Sequence, residues 1–409
     1  MHRNFPFPAV LHLRRKAVVI IIMMMAAVPL YAQWSTAKPD IKEYTLTSKV
    51  LNQKRKITIY RPPVLSKYSE SVSPVFYVLD GEFSAFYYCT LVNYCCQRMP
   101  GLPPITVVGI ENEPSFITES GGTNSIGRNR DFTPIVARDS TFYKTSGGAE
   151  KFLQFINEEL VPFVEKDYKK MPYRVFAGNS LGGWLVMHTF LKHPGMFNAY
   201  IATSPAMQMD KSAYMQTVEE TILNATERNN RLFFSVGNEP DPYLPNARKI
   251  DSLLKNKNFK GLTYRFTYYP KEGHSTLKAM QDGFQYIFRM EELPVYETPL
   301  SNITYSKFED HYKNLSQIFG YAMKPDEGMI NSYGYYLLNS AKDVDRALEF
   351  FKKNVENYPQ SANVYDSYAE ALLVKGDKEN ALINYEKAFA MDPTNTGARD
   401  IIIELRKGK

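Results

Sequence analysis

The residues Gly178-Asn179-Ser180-Leu181-Gly182, continued by Gly183, set a serine in a frame of glycines. The frame follows a short β-rich run at 174–177 (RVFA) and opens a helical pattern that contains Trp184 and Lys192. A serine on such a strand–turn–helix junction has the setting of a nucleophile elbow. Glycines let the chain turn sharply without a Cβ clash. The turn lifts the hydroxyl above the sheet, and the helix N-terminus that follows favours developing negative charge. A packing turn with an incidental serine is the competing account.

A serine hydroxyl needs a base. The six histidines are His2, His12, His188, His193, His274 and His311. His188 and His193 fall on or just after the helix that follows Ser180, where packing or capping accounts for them. His274, in Lys271-Glu272-Gly273-His274-Ser275, lies just past a β-rich run at 263–269 (TYRFTYY). A loop after the last strand is where the order Ser, acid, His puts the base. The acid belongs between them. The run at 231–236 (RLFFSV) ends in Gly237-Asn238-Glu239-Pro240-Asp241, so Glu239 and Asp241 compete to accept the imidazole N–H. Glu239, nearer the strand end, is preferred; Asp241 before Pro242 also suits a helix N-cap. For an oxyanion hole, one N–H is expected from Leu181 and a second from Glu82, in the loop Asp80-Gly81-Glu82-Phe83 after the first core strand. Arg128 and Arg130 are candidates to bind a polar or anionic substrate, although such a cluster also serves as an ion-pair brace in a long loop.

These residues need a scaffold with strand ends gathered on one edge. Runs at 75–79 (VFYVL), 105–110 (ITVVGI), 174–177, 200–203, 231–236 and 263–269 read as strands, several of them apolar throughout, as in a parallel sheet buried on both faces. Helical patterns at 150–166, 183–192 and 247–255 alternate with them. Segments 41–46 and 54–60 suit an antiparallel edge. The expected fold class is α/β with a mostly parallel central sheet over residues 33–293. Pro294 and Pro299 mark a linker, 294–306. From 307 to 409 the pattern is helical and repeats: Ala347-Leu348 recurs as Ala381-Leu382, Phe351 as Tyr385 and Pro359 as Pro393, each 34 positions apart. That is the period of the tetratricopeptide repeat, giving two units at about 329–362 and 363–396.

The chain has 409 residues, 44% hydrophobic and 22% charged, with a formal charge of +6. Residues 1–32 hold Arg3, Arg14, Arg15 and Lys16 and no acid; without them 45 basic residues face 43 acidic ones. So even a balance gives no reason to expect nucleic acid or an anionic membrane as partner. Arg14-Arg15-Lys16, an apolar run of about 12 residues and a small-residue site at Ala32 read as a signal peptide, with a retained anchor as the alternative. Export to the periplasm or exterior is expected. Cys89, Cys95 and Cys96 sit too close together for a disulfide framework and are expected as buried hydrophobes under a helix. No metal and no cofactor is expected.

Residues 40–293 resemble the Putative esterase family of α/β hydrolases, which includes enterochelin and other siderophore esterases, feruloyl esterases, esterase D and mycolyl transferases. The resemblance rests on VFYVLDG at 75–81, RNRDFTP at 128–134, GNSLGG at 178–183 and Gly273-His274-Ser275. It implies an α/β-hydrolase fold and metal-free hydrolysis of a carboxylic ester, or acyl transfer. It also implies an oxyanion N–H from Glu82 and leaves Glu239 and Asp241 both open. The expected protein is an exported serine esterase acting on a small-molecule or glycan ester. An acyltransferase with the same residues, and a binding protein working through its helical repeats on a protein partner, are the rivals.

Overall fold

The computed structural model describes residues 39–62, 73–98, 102, 104–113, 116–117, 123–124, 126–136, 145–166, 173–207, 213–290 and 302–407. The N-terminal apolar run, the expected cleavage site at Ala32 and most of the expected 294–306 linker lie outside them.

The chain opens with a hairpin of β1 (Asp40–Ser48) and β2 (Gln53–Arg61), followed by β3 (Val75–Leu79), α1 (Gly81–Arg98) and β4 (Thr106–Ile110). A small hairpin of β5 (Phe116–Ile117) and β6 (Thr123–Asn124) precedes α2 (Ile126–Phe132). α3 (Ala149–Phe155) passes through a π-helical turn, Ile156–Leu160, into α4 (Val161–Lys166). Strand and helix then alternate: β7 (Arg174–Asn179), α5 (Leu181–Lys192), β8 (Ala199–Thr203), α6 (Ala213–Asn224), β9 (Arg231–Gly237), α7 (Tyr243–Lys257), β10 (Thr263–Tyr269) and α8 (Leu277–Ile287).

Eight strands form one sheet in the order β1-β2-β4-β3-β7-β8-β9-β10. The β1–β2 and β2–β4 joins are antiparallel and the rest are parallel. β3, β8 and β9 are buried along their whole length, which is why they read as unbroken apolar runs rather than alternating ones. Their side chains still alternate between two cores. Val75, Tyr77 and Leu79 join Trp184, Leu185 and Ile250 on one face. Phe76 and Val78 join Val92, Phe284 and Phe288 on the other.

That second core continues into an all-helical region: α9 (Tyr305–Phe319), α10 (Glu327–Tyr335) with a π-helical turn at Tyr336–Ser340, α11 (Val344–Asn357), α12 (Ala362–Lys375), α13 (Lys378–Met391) and α14 (Thr396–Lys407). Phe308, Tyr312, Phe319 and Phe350 belong to the same cluster as Phe76 and Phe288. The Phe319 ring meets Tyr173 edge-on at 4.7 Å. α11 and α13 start 34 positions apart, and their N-caps match: Asp343 accepts from the Arg346 N–H and Asp377 from the Asn380 N–H. Lys342 and Gly376, just before those caps, both take a left-handed backbone (φ 56° and 90°).

Asp80-Gly81-Glu82-Phe83 is not a free loop, because α1 begins at Gly81. The Asp80 carbonyl accepts from the Phe83 N–H (3.0 Å) and the Ser84 N–H (2.8 Å). The helix hid in the sequence because it is apolar on more than one side. Tyr88, Val92 and Cys95 face the core, yet Phe83 and Phe86 are exposed, so no polar stripe marks a helical period. Cys89 and Cys95 are free and buried on this helix, and burial pushes their thiols up to about 12 and about 11.

Candidate active site

Ser180 stands at the end of β7 with φ 58° and ψ −118°, a region sparsely populated by non-glycine residues. The surroundings hold it there. Its N–H donates to the Thr203 carbonyl (3.0 Å), and its own carbonyl accepts from the N–H groups of Trp184 (2.9 Å) and Ala206 (3.0 Å). The turn requires glycine at two flanking positions: a Cβ on Gly178 would lie 2.6 Å from the Gly182 backbone, and one on Gly183 would lie 2.8 Å from the Thr203 carbonyl. Leu181 is the first residue of α5, so its N–H has no acceptor within the helix.

The next three strands supply the remaining groups. Ser204 follows β8, Glu239 lies two residues beyond β9, and His274 follows β10. Since β7, β8, β9 and β10 are consecutive neighbours, all four residues share the carboxyl edge of the sheet, where ligands bind in such folds. His274 Nδ1 is 2.8 Å from Glu239 Oε2. The other Glu239 oxygen accepts from Ser204 Oγ (2.5 Å) and from the Gly237 N–H (2.8 Å). The Ser204 hydroxyl accepts in turn from the Ser275 N–H (3.0 Å). The imidazole is 42% exposed, whereas the Glu239 side chain is 1% exposed. Burial pushes the Glu239 carboxyl upward, but hydrogen bonds from His274, Ser204 and Gly237 outweigh it and hold the group below its ordinary value. Tyr243 packs edge-on against the His274 ring at 5.4 Å.

Asp241 is exposed in the turn before α7. That helix takes Pro242 as its N-cap, with no side-chain capping bond. Among the described residues, the carboxylate against His274 is that of Glu239.

α1 begins just past the carboxyl end of β3, the strand beside β7, and so on the same sheet edge as Ser180. Glu82 is a helical residue there, so its N–H also lacks an intrahelical acceptor. Its carboxylate accepts from Asn112, through Nδ2 (2.7 Å) and the backbone N–H (3.1 Å). Arg128 clamps Asp80 with two bonds, Nε to Oδ1 (2.6 Å) and Nη2 to Oδ2 (2.8 Å). Asn112 Nδ2 also donates to Asp80 Oδ1 (2.6 Å). Arg130 pairs with Asp131 (2.8 Å) and Glu113 (3.1 Å), and Asp131 also binds the buried Arg55.

Ser180, His274 and Glu239, expected from the sequence, lie on one sheet edge; Ser204 and Asn112 were not among the expected residues. The signal for Ser204 was its place in Thr203-Ser204-Pro205, directly after a predicted strand. Asn112 follows the β4 strand end in the same way.

Together these groups can activate a hydroxyl nucleophile, orient an imidazole through a buried carboxylate, and present backbone N–H groups to a developing oxyanion. A family model described as Putative esterase matches residues 48–278. Ferri-bacillibactin esterase BesA of Bacillus subtilis (strain 168) is 30% identical over 220 residues, which are 49% of this chain and 73% of that protein. The fold is similar to that of an IroE-like serine hydrolase from Shewanella oneidensis (TM-score 0.60, 23% identity, 78% of this chain and 100% of that one). It is also similar to that of an uncharacterised protein from Capnocytophaga ochracea (TM-score 0.62, 19% identity, 90% and 100%). A match spanning more than half of the residues, together with the BesA likeness, makes this chain a member of the Putative esterase family, with an α/β-hydrolase domain related to siderophore esterases.

Proposed function

We propose that the protein is an exported serine esterase with Ser180 as nucleophile, His274 as general base and Glu239 as the orienting acid. The observation that carries this reading is the 2.8 Å Glu239–His274 contact on the sheet edge that also bears Ser180 on its strained turn. With Glu239 holding Nδ1–H, His274 Nε2 is left as the acceptor for the Ser180 proton. Oγ attacks the ester carbonyl, and the tetrahedral oxyanion is held by the N–H groups of Leu181 and Glu82. The imidazolium, stabilised by Glu239, gives its proton to the leaving alcohol. Water, activated by the same imidazole, then attacks the acyl-enzyme and frees the acid.

A siderophore-type ester fits best as substrate. The likeness to BesA supports this class, and so does the apolar surface beside the oxyanion turn. Phe83 and Phe86 on α1 and Leu277 on α8 are exposed. The two helices are joined where Tyr87 donates to the Leu277 carbonyl (3.1 Å). Such a rim suits large, flat acyl groups. Arg128 and Arg130 are assigned to bracing rather than to substrate, because each already holds a carboxylate. The helical region is read as two tetratricopeptide-like repeats on the matched caps of α11 and α13, with packing against the sheet as its first role.

Mass spectrometry after treatment with a fluorophosphonate tests the nucleophile. One adduct on the peptide containing Ser180 is expected. An unmodified protein that still cleaves esters would overturn the assignment. Chromatography of a catecholate triester siderophore incubated with the protein tests the substrate class: release of its monomer acids is expected, and an intact siderophore beside rapid cleavage of simple esters would reject it.

A further inference from the structure

Glu150, His188 and His193 converge at a second place in the fold, and we infer that they form a binding site for a divalent transition metal of the zinc type. Nothing in their spacing announces it, since Glu150 precedes His188 by 38 positions. α3 carries Glu150 in its first turn, α5 carries His188, and His193 caps the end of α5. His188 Nε2 lies 2.7 Å from one Glu150 oxygen and His193 Nε2 lies 2.8 Å from the other. The three potential ligand atoms are all within 4.8 Å of one another.

Three features favour a metal over a carboxylate that merely bridges two imidazoles. The donor set, two imidazole nitrogens and one carboxylate oxygen, is that of three-ligand zinc sites and unlike the all-oxygen shells of calcium and magnesium. His188 is fixed from behind, because its Nδ1 lies 3.1 Å from the buried Tyr214 hydroxyl. A ring held at one nitrogen and aimed by the other is how outer-shell partners orient histidine ligands. The front is open: the Glu150 side chain is 60% exposed and that of His193 is 37% exposed. An ion can therefore enter, keep water as a further ligand, and draw the Glu150 oxygens aside by side-chain rotation alone.

The site is separate from the ester chemistry. His188 lies eight residues beyond Ser180 on α5, or ~12 Å along the helix. Its role would be to fasten α3 to α5. The start of α3 is also the anchor for the Arg128 segment, through Gly148 N–H to the Arg130 carbonyl (2.8 Å) and Ala149 N–H to the Thr133 carbonyl (3.3 Å).

The test is calorimetric titration of zinc into residues 33–409 after chelator treatment, with cobalt absorption as a second readout. One zinc per chain is expected, with a rise in Tm and cobalt bands in the visible. His193→Asn and Glu150→Gln change exposed or half-exposed side chains. Each should weaken binding by more than about a hundredfold, since even the loss of an outer-shell partner costs 10–100-fold. His274→Asn should bind zinc like the wild type. No stoichiometric binding at micromolar zinc would overturn the site, as would binding that survives both ligand variants or is lost in His274→Asn.

Discussion

The carboxylate of Glu239 reaches His274 Nδ1 at 2.8 Å with one oxygen, while its other oxygen is held by Ser204 Oγ and the Gly237 N–H. The acid is thus fixed by groups from the ends of two neighbouring strands before it touches the imidazole. Buried, triply bonded and ionised, it can set the tautomer of a half-exposed ring.

Replacing this acid separates it from its neighbour in sequence. Glu239→Gln is expected to lower kcat by about 10³–10⁴, because the amide favours the wrong imidazole tautomer. Asp241→Asn should stay within about twofold of wild type. Steady-state kinetics on a simple ester decides, and the reverse pattern would transfer the role to Asp241.

The same contacts make stability depend on pH. The Glu239 carboxyl is held below its ordinary value in the folded chain. Its contribution is therefore complete above the unfolded value of ~4.3 and is lost as pH falls through the folded one. The stability gap between wild type and Glu239→Gln, measured by denaturant unfolding at a series of pH values, should be widest near neutrality and shrink in acid. A gap that does not change with pH would contradict this.

Arg128 clamps Asp80, and the Asp80 carbonyl starts the helix that presents the Glu82 N–H. Lysine cannot reproduce a two-pronged clamp. Arg128→Lys should lower kcat by about 10–100-fold with little change in KM, approaching the cost of losing an oxyanion donor. A raised KM with kcat unchanged would mean that Arg128 binds substrate directly.

Phe319 ties the helical region to the sheet through Tyr173 and Phe288. Phe319→Ala should cost ~3–5 kcal/mol, and wild-type unfolding should be one cooperative transition. Two separate transitions, one of them untouched by the substitution, would show that the helical region folds alone.

Much of this was legible in the sequence, for identifiable reasons. Ser180 and His274 stood out as candidates because a glycine frame and a strand end are local patterns. The parallel strands were legible because burial on both faces leaves apolar runs such as VFYVL. Glu239 was preferred over Asp241 only for lying nearer the end of the strand they both follow; which carboxylate meets His274 and Ser204 depends on neighbouring strands that no local pattern reports. α1 was hidden by exposed Phe83 and Phe86, which erase its polar face. The grouping of Glu150 with His188 and His193 depends on how α3 packs beside α5. The shared core of Phe76, Phe288 and Phe319 was hidden for a similar reason, since an apolar helical face does not name the surface it will cover.

The nucleophile role proposed for Ser180 is tested by p-nitrophenyl acetate hydrolysis by residues 33–409 beside the Ser180→Ala variant. Clear turnover by the first and a loss of several orders of magnitude in the second are expected. Near-equal rates in the two proteins would contradict that role.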